Sequence, residues 1–187
     1  KSTRGKSFGY QVLGFGAGGA PDLFVVATGG TITQSGDFKI HTFTGPGNFC
    51  VSCAGGESGS NSVDYLVVAG GGGGSTGQGS SGGGGGAGGY RESPGAASGC
   101  YTVSPRGAAP AAAIVVTAQS YPIVIGAGGA AGSQPAGGCN GAVSSALGIS
   151  SAGGGGSGGT APTPGKPGGS GGGAGRDTNV SGGTGNT

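Results

Sequence analysis

The chain has 187 residues, 55 of them glycine, and only 7% are charged, against roughly 25% in an ordinary globular domain. A formal charge of +2 is too small to recruit a nucleic acid, and disordered chains are usually rich in charge and poor in apolar residues. Composition therefore points to a fibrous or glycine-rich folded protein, with neither nucleic-acid binding nor membrane insertion expected: no run approaches the ~18 apolar residues of a membrane span, and no charged-then-apolar leader opens the chain.

The first 66 residues hold 14 glycines and the remaining 121 hold 41, so the grain changes near Ala69. Residues 1–28 read as an attachment segment, with Lys1, Arg4 and Lys6 as a solvated terminus or docking arm and a strand at Tyr10–Leu13. Leu23–Val26 and Thr31–Thr33 are short apolar or β-branched runs bounded by glycine or proline, a strand signal. In Asp37–Thr44, Phe38 and Ile40 share one face and Asp37, Lys39 and His41 the other, the alternation of a half-buried strand. Gly45-Pro46-Gly47-Asn48 has turn chemistry, so Phe49–Ser52 is expected to return as the second arm of a hairpin. Val63–Ala69 is apolar on both faces after Asp64 and is expected at the centre of the sheet. Residues 29–69 thus form a short antiparallel, sandwich-like β region.

Beyond it, Ala113–Thr117, Tyr121–Ile125 and Ala146–Ile149 read as further strands, separated by the glycine runs 70–74, 82–86, 153–156 and 171–173. Pro110 breaks the one alanine-rich helix candidate, so the class is all-β with almost no helix. Ordering a glycine costs about 1–2 kcal/mol in backbone entropy. A run is therefore a flexible linker unless close backbone pairing offsets that cost. Consecutive glycines exclude collagen, and the ordered alternative is a set of polyproline-II-like glycine helices packed side by side. Residues 70–187 are read as such a module. Its spacers, Gln78–Ser81, Tyr90–Ser93, Ala130–Ala136 and Ala161–Pro167, become exposed loops, the usual seat of binding.

The segments Ser35–Thr44, Val63–Gly72, Gly83–Glu92, Tyr121–Gly129 and Ile149–Gly155, taken in order, resemble a glycine-rich domain family that recurs in tail-fibre and other virion proteins of tailed phages. The block Tyr65-Leu-Val-Val-Ala-Gly-Gly-Gly72 carries most of the likeness. The resemblance implies a non-enzymatic structural protein of the virion, a tail-fibre or adhesin component on the particle's extracellular surface. Its expected partners are other virion proteins, further copies of itself with a trimer favoured, and a host surface glycan or outer-membrane protein. Tyr90, Arg91, Glu92, Gln134 and Lys166 are the candidate receptor-facing residues. A head-fibre or decoration protein of the capsid, with a role in assembly or stability, is the alternative.

Other chemistry is thinly supported. Gly14-Phe-Gly16-Ala-Gly-Gly19 fits a dinucleotide fingerprint but leads through Ala20-Pro21-Asp22 into a strand rather than the helix such a site needs. His41, the only histidine, lacks a gathered nucleophile and orienting acid. Cys50 and Cys53 would face opposite sides of a strand, which is poor geometry for a zinc site with Cys100 and Cys139. A Cys100–Cys139 disulfide suits an extracellular particle, and unpaired small residues are the plainest reading. No cofactor or metal is expected.

Overall fold

The computed structural model describes residues 24–56, 59–75, 82–93, 112–133, 135–159, 162–175 and 180–185. These build an all-β molecule without helix: several small antiparallel sheets at one end and a glycine-helix bundle at the other.

The β end starts with β1 (Val26–Thr28), β2 (Thr31–Ser35), β3 (Phe38–Thr42) and β4 (Gly47–Cys53). β2 pairs with β3 through a two-residue turn at Gly36-Asp37, where Gly36 takes φ +57°. A glycine-led two-residue loop of this kind matches the twist of a hairpin. β4 pairs with β1 and with β9 (Ser120–Ile123). The hairpin expected between Asp37–Thr44 and Phe49–Ser52 therefore does not form. Residues 26–53 fold instead as one long antiparallel excursion that reverses at Gly36-Asp37. Phe43–Pro46 is slack in its returning arm, bordering a shallow depression of about 320 Å³ together with Gly29 and Gly30.

The facing of β3 is also reversed from expectation. Phe38 and Ile40 are 39% and 46% exposed. His41, on the opposite face, is half-buried and sets its ring edge-on to Phe49 at 5.0 Å. Its Nδ1 lies 2.8 Å from the Gly29 carbonyl; an oxygen there can only accept, so Nδ1 carries the proton. Alternation identified the two faces but could not say which met the core, because a two-stranded ribbon that projects outward has no strongly buried side.

The core is small: Ala27, Phe49, Val51, Val116 and Ile123 are buried, with Val25, Phe43, Val63, Ile114, Tyr121, Ile125, Ala146 and Leu147 packed around them. Val63 belongs to β5 (Ser62–Val63), paired with β8 (Ile114–Val115). Val116 follows β8 and donates its N–H to the Asn61 carbonyl at 2.9 Å. At the corner into β9, the Tyr121 hydroxyl accepts from the Thr117 N–H at 2.8 Å. Bonding to Thr117, its side chain above all, holds the phenol below its ordinary pKa.

Val63–Ala69 is not a central strand. Its β6 portion (Leu66–Val68) pairs only with β7 (Tyr90–Glu92), burying Val67 while Leu66 and Val68 stay 61% and 53% exposed. Ala146–Ile149 is not a strand either. It is the tight turn between β10 (Ser144–Ala146) and β11 (Ile149–Ser151), made by Leu147 at φ +54° and Gly148 at φ +81°.

From these strands the glycine runs emerge. We number them g1 (69–75), g2 (82–89), g3 (125–133), g4 (136–143), g5 (152–159), g6 (163–169), g7 (170–175) and g8 (180–185). g1 continues β6, g2 leads into β7, g3 continues β9, and the β10–β11 hairpin joins g4 to g5.

The hydrogen bonds between runs recur at every third residue. g1 donates to g2 from Ala69, Gly72 and Ser75, to Gly89, Gly86 and Gly83; it donates to g4 from Gly70 and Gly73, to Ala142 and Cys139. Three residues per turn with bonds only between neighbours is the polyproline-II helix. The described glycines with positive φ, at 29, 30, 36, 55 and 148, all lie outside the runs. Glycine is thus used here for its missing Cβ and not for unusual dihedrals.

The bonding pattern defines three layers. g3, g1 and g2 form the first; g4, g5 and g7 the second; g6 and g8 the third. g5 is the axis, and its residues 154–159 are all buried. Its N–H groups point successively to g1 (from Gly154 and Ser157), to g7 (from Gly155 and Gly158) and to side chains (from Gly156 and Gly159). Its carbonyls accept from g2, g4 and g6. A core made of backbone is admissible because nearly every buried polar group is paired.

Candidate functional site

Hydrogen-bond register fixes which end of the bundle each run reaches. g1, g3, g5 and g7 run away from the β sheets, and g2, g4, g6 and g8 run back. The chain therefore leaves and re-enters the bundle at one far end four times: at Ser75 and Gly82, at Ser133 and Pro135, at Gly159 and Pro162, and at Gly175 and Val180. These points are pinned. Ser75 N–H donates to Gly83 at 3.1 Å, Gly132 to Gly74 at 2.8 Å, and Gly175 to Thr163 at 3.1 Å. The Thr163 hydroxyl accepts from the Gly159 N–H at 2.6 Å. A rigid end from which short connections emerge is the arrangement that lets loops carry recognition.

The described candidate residues do not gather at this end. Tyr90, Arg91 and Glu92 are not in a loop: they form β7, at the sheet end opposite these exits. They follow directly on g2, and pairing with β6 makes them a strand where glycine ends. Glu92 is buried and accepts from the Tyr90 hydroxyl at 2.6 Å, whereas Tyr90 is 45% exposed. Lys166 is exposed within g6, with its N–H on the Gly156 carbonyl at 2.8 Å. Gln134 and the spacer Gln78–Ser81 lie outside the described residues. Cys50, Cys53 and Cys139 are free thiols, and Cys100 lies outside the described residues. No group of three or more His, Cys, Asp or Glu side chains gathers among the described residues.

Sequence reasoning missed the polar side chains that complete the bundle. Asn140 fills a position beside g5 where no run lies. Its Oδ1 accepts from the Gly156 N–H at 2.9 Å, and its Nδ2 donates to the Pro167 carbonyl at 3.2 Å. Ser157 is fully buried and accepts from the Gly138 N–H at 3.1 Å; Ser144 accepts from Gly126 at 2.9 Å. Each replaces a carbonyl that a neighbouring run would have supplied. For Asn140 and Ser157 the signal was available, a single polar residue interrupting glycine-rich sequence; Ser144, between Val143 and Ser145 in β10, carried none. Asn140→Ala leaves the Gly156 N–H without its acceptor and should cost about 1–3 kcal/mol, read as a lowered denaturant midpoint with an unchanged slope. Asn140→Asp keeps the acceptor but turns a carboxylate oxygen to the Pro167 carbonyl, and should do no better.

A family model described as a glycine-rich domain matches residues 44–187, which take in β4 and all eight runs. No curated protein and no solved structure matches the chain.

Proposed function

The chain belongs to the glycine-rich domain family, and on that footing we propose that it is a structural virion protein of a tailed bacteriophage, a tail-fibre or adhesin component that recognises the host surface. The observation that carries this reading is the one-ended geometry of the bundle. Four chain exits converge at the far end, while the sheets occupy the other. On this reading the sheet end joins the particle and the far end of the bundle faces the host. The resemblance of its segment order to fibre and adhesin proteins supports the phage assignment.

Recognition on this reading is non-enzymatic and requires no cofactor. Polar, hydrogen-bonding connections suit a host glycan or the outer loops of a membrane protein. The test is adsorption. Purified chain should compete with intact phage for host cells, and replacing Gln134-Pro135, between g3 and g4, by Gly-Ser should abolish competition without lowering the melting temperature. Antibody to the chain should label the tail tip in negative-stain micrographs. Label on the head with no competition would overturn the reading and favour a capsid decoration protein.

A further inference from the structure

The outer face of the first layer is built differently from the other faces of the bundle. Runs g3, g1 and g2 turn toward it Gly128 and Ala131, Gly71 and Gly74, and Gly84 and Ala87. None of these six residues carries more than a methyl group, and none is charged. Most of the glycines in these runs are required by the fold itself: a Cβ on Gly70, Gly72, Gly73, Gly85 or Gly129 would overlap a carbonyl of an adjacent run. The four on the outer face are not. A Cβ on Gly84 meets nothing within 4 Å, and those on Gly71, Gly74 and Gly128 come no nearer than 3.7, 3.5 and 3.7 Å to another atom. Replacing such glycines by alanine would stabilise the chain through its unfolded state, so nothing within the fold keeps them glycine. The third layer shows what the chain uses where side chains simply face water: Pro164, Lys166 and Pro167, all exposed.

A second observation is independent of side-chain size. The N–H groups of Gly71, Gly74, Gly84 and Gly128 have no hydrogen-bond partner among the described residues. The corresponding groups one and two residues along g1 donate to g2 and g4. The first layer is therefore an open edge of the bundle, as an unpaired strand is of a sheet.

We propose that this face stacks on the first layer of a second copy of the chain, so that the glycine-helix packing within the molecule continues across a two-fold interface. The interface between first and second layers inside the chain is the pattern being continued: glycine faces, donors at every third residue, and carbonyls of the adjoining layer as acceptors. Both relative directions already pair here, g3 with g1 parallel and g2 with g1 antiparallel, so a symmetry-related layer meets no polarity barrier. The uncharged face carries no like-charge repulsion. This inference rests on the bundle and is independent of host recognition.

At ~3.1 Å per residue the face is about 25 Å long and three runs wide, small for a specific interface. Association of the isolated chain should therefore depend on concentration. Sedimentation equilibrium up to ~1 mM, a dissociation constant worth only about 4 kcal/mol, should show a monomer–dimer equilibrium. Hydrogen exchange at Gly71 and Gly74 should slow as the dimer forms. Gly84→Leu, whose Cβ has open space, should keep the wild-type melting temperature and weaken dimerisation at least tenfold; Gly128→Ala, a milder change, should weaken it less. A wild-type chain that stays monomeric throughout, or a Gly84→Leu chain that dimerises as well as wild type, would overturn the proposal. So would a dimer in which Gly71 and Gly74 exchange as fast as in the monomer.

Discussion

Gly154→Ala should unfold this protein or come close to it, with a loss of more than ~4 kcal/mol from the addition of one methyl group. Gly154 lies in the buried axial run, and its Cβ would overlap the Gly86 carbonyl while approaching Gly72 N at 2.7 Å and Ala87 C at 2.8 Å. All three obstacles are backbone, so no rotamer change relieves them. Relief requires moving g1 or g2, and each is bonded to its neighbours at every third residue. Single substitutions usually cost about 0.5–3 kcal/mol, and larger values mark a named steric or polar failure. The control is Gly84→Ala, at a glycine with open space around it, which should be neutral or gain up to ~1 kcal/mol. Thermal melts of the two variants beside wild type measure the difference. Equal effects would mean that the runs are loose segments rather than packed helices.

Phe49→Ala should be the most damaging change at the sheet end, at about 3–5 kcal/mol. Phe49 is 8% exposed and is the largest side chain in the buried core; it meets His41 edge-on at 5.0 Å and Tyr121 in a tilted contact at 6.5 Å. With only Ala27, Val51, Val116 and Ile123 buried beside it, few neighbours are available to collapse into the cavity. Loss of near-ultraviolet signal with a lower denaturant midpoint would report it. Because β4 holds both β1 and β9, and β9 continues into g3, the bundle should loosen in the same transition. Two separate transitions would show that sheets and bundle fold independently.

Local chemistry made several features readable from residue order. The all-β class followed from short β-branched runs bounded by glycine, and the glycine-helix module from runs too costly to order in any way except by close backbone pairing. The apolar Val63–Ala69 directly before the first run and the single Ser157 within g5 were also present as pattern, but nothing local assigned Ser157 its carbonyl-like role. Positions at which glycine serves a local turn, as at Gly36, are likewise a matter of neighbouring residues.

Tertiary structure alone decided which elements met. A turn at Gly36-Asp37 and one at Gly45–Asn48 both satisfy local rules, and β4 chose β1 and β9 because Phe49 and Val51 are buried there. Tyr90–Glu92 had the composition of an exposed spacer, yet pairing with β6 made it a strand. Above all, a sequence of glycines does not say which of them is needed. Gly84 and Gly154 are identical as residues, and only the position of other runs makes one open and the other essential. The reason is that glycine carries no side chain with which to encode its partners. Its order is written in the strands and the few Asn, Ser and Thr residues that hold the runs in register, and in contacts between segments far apart in the chain.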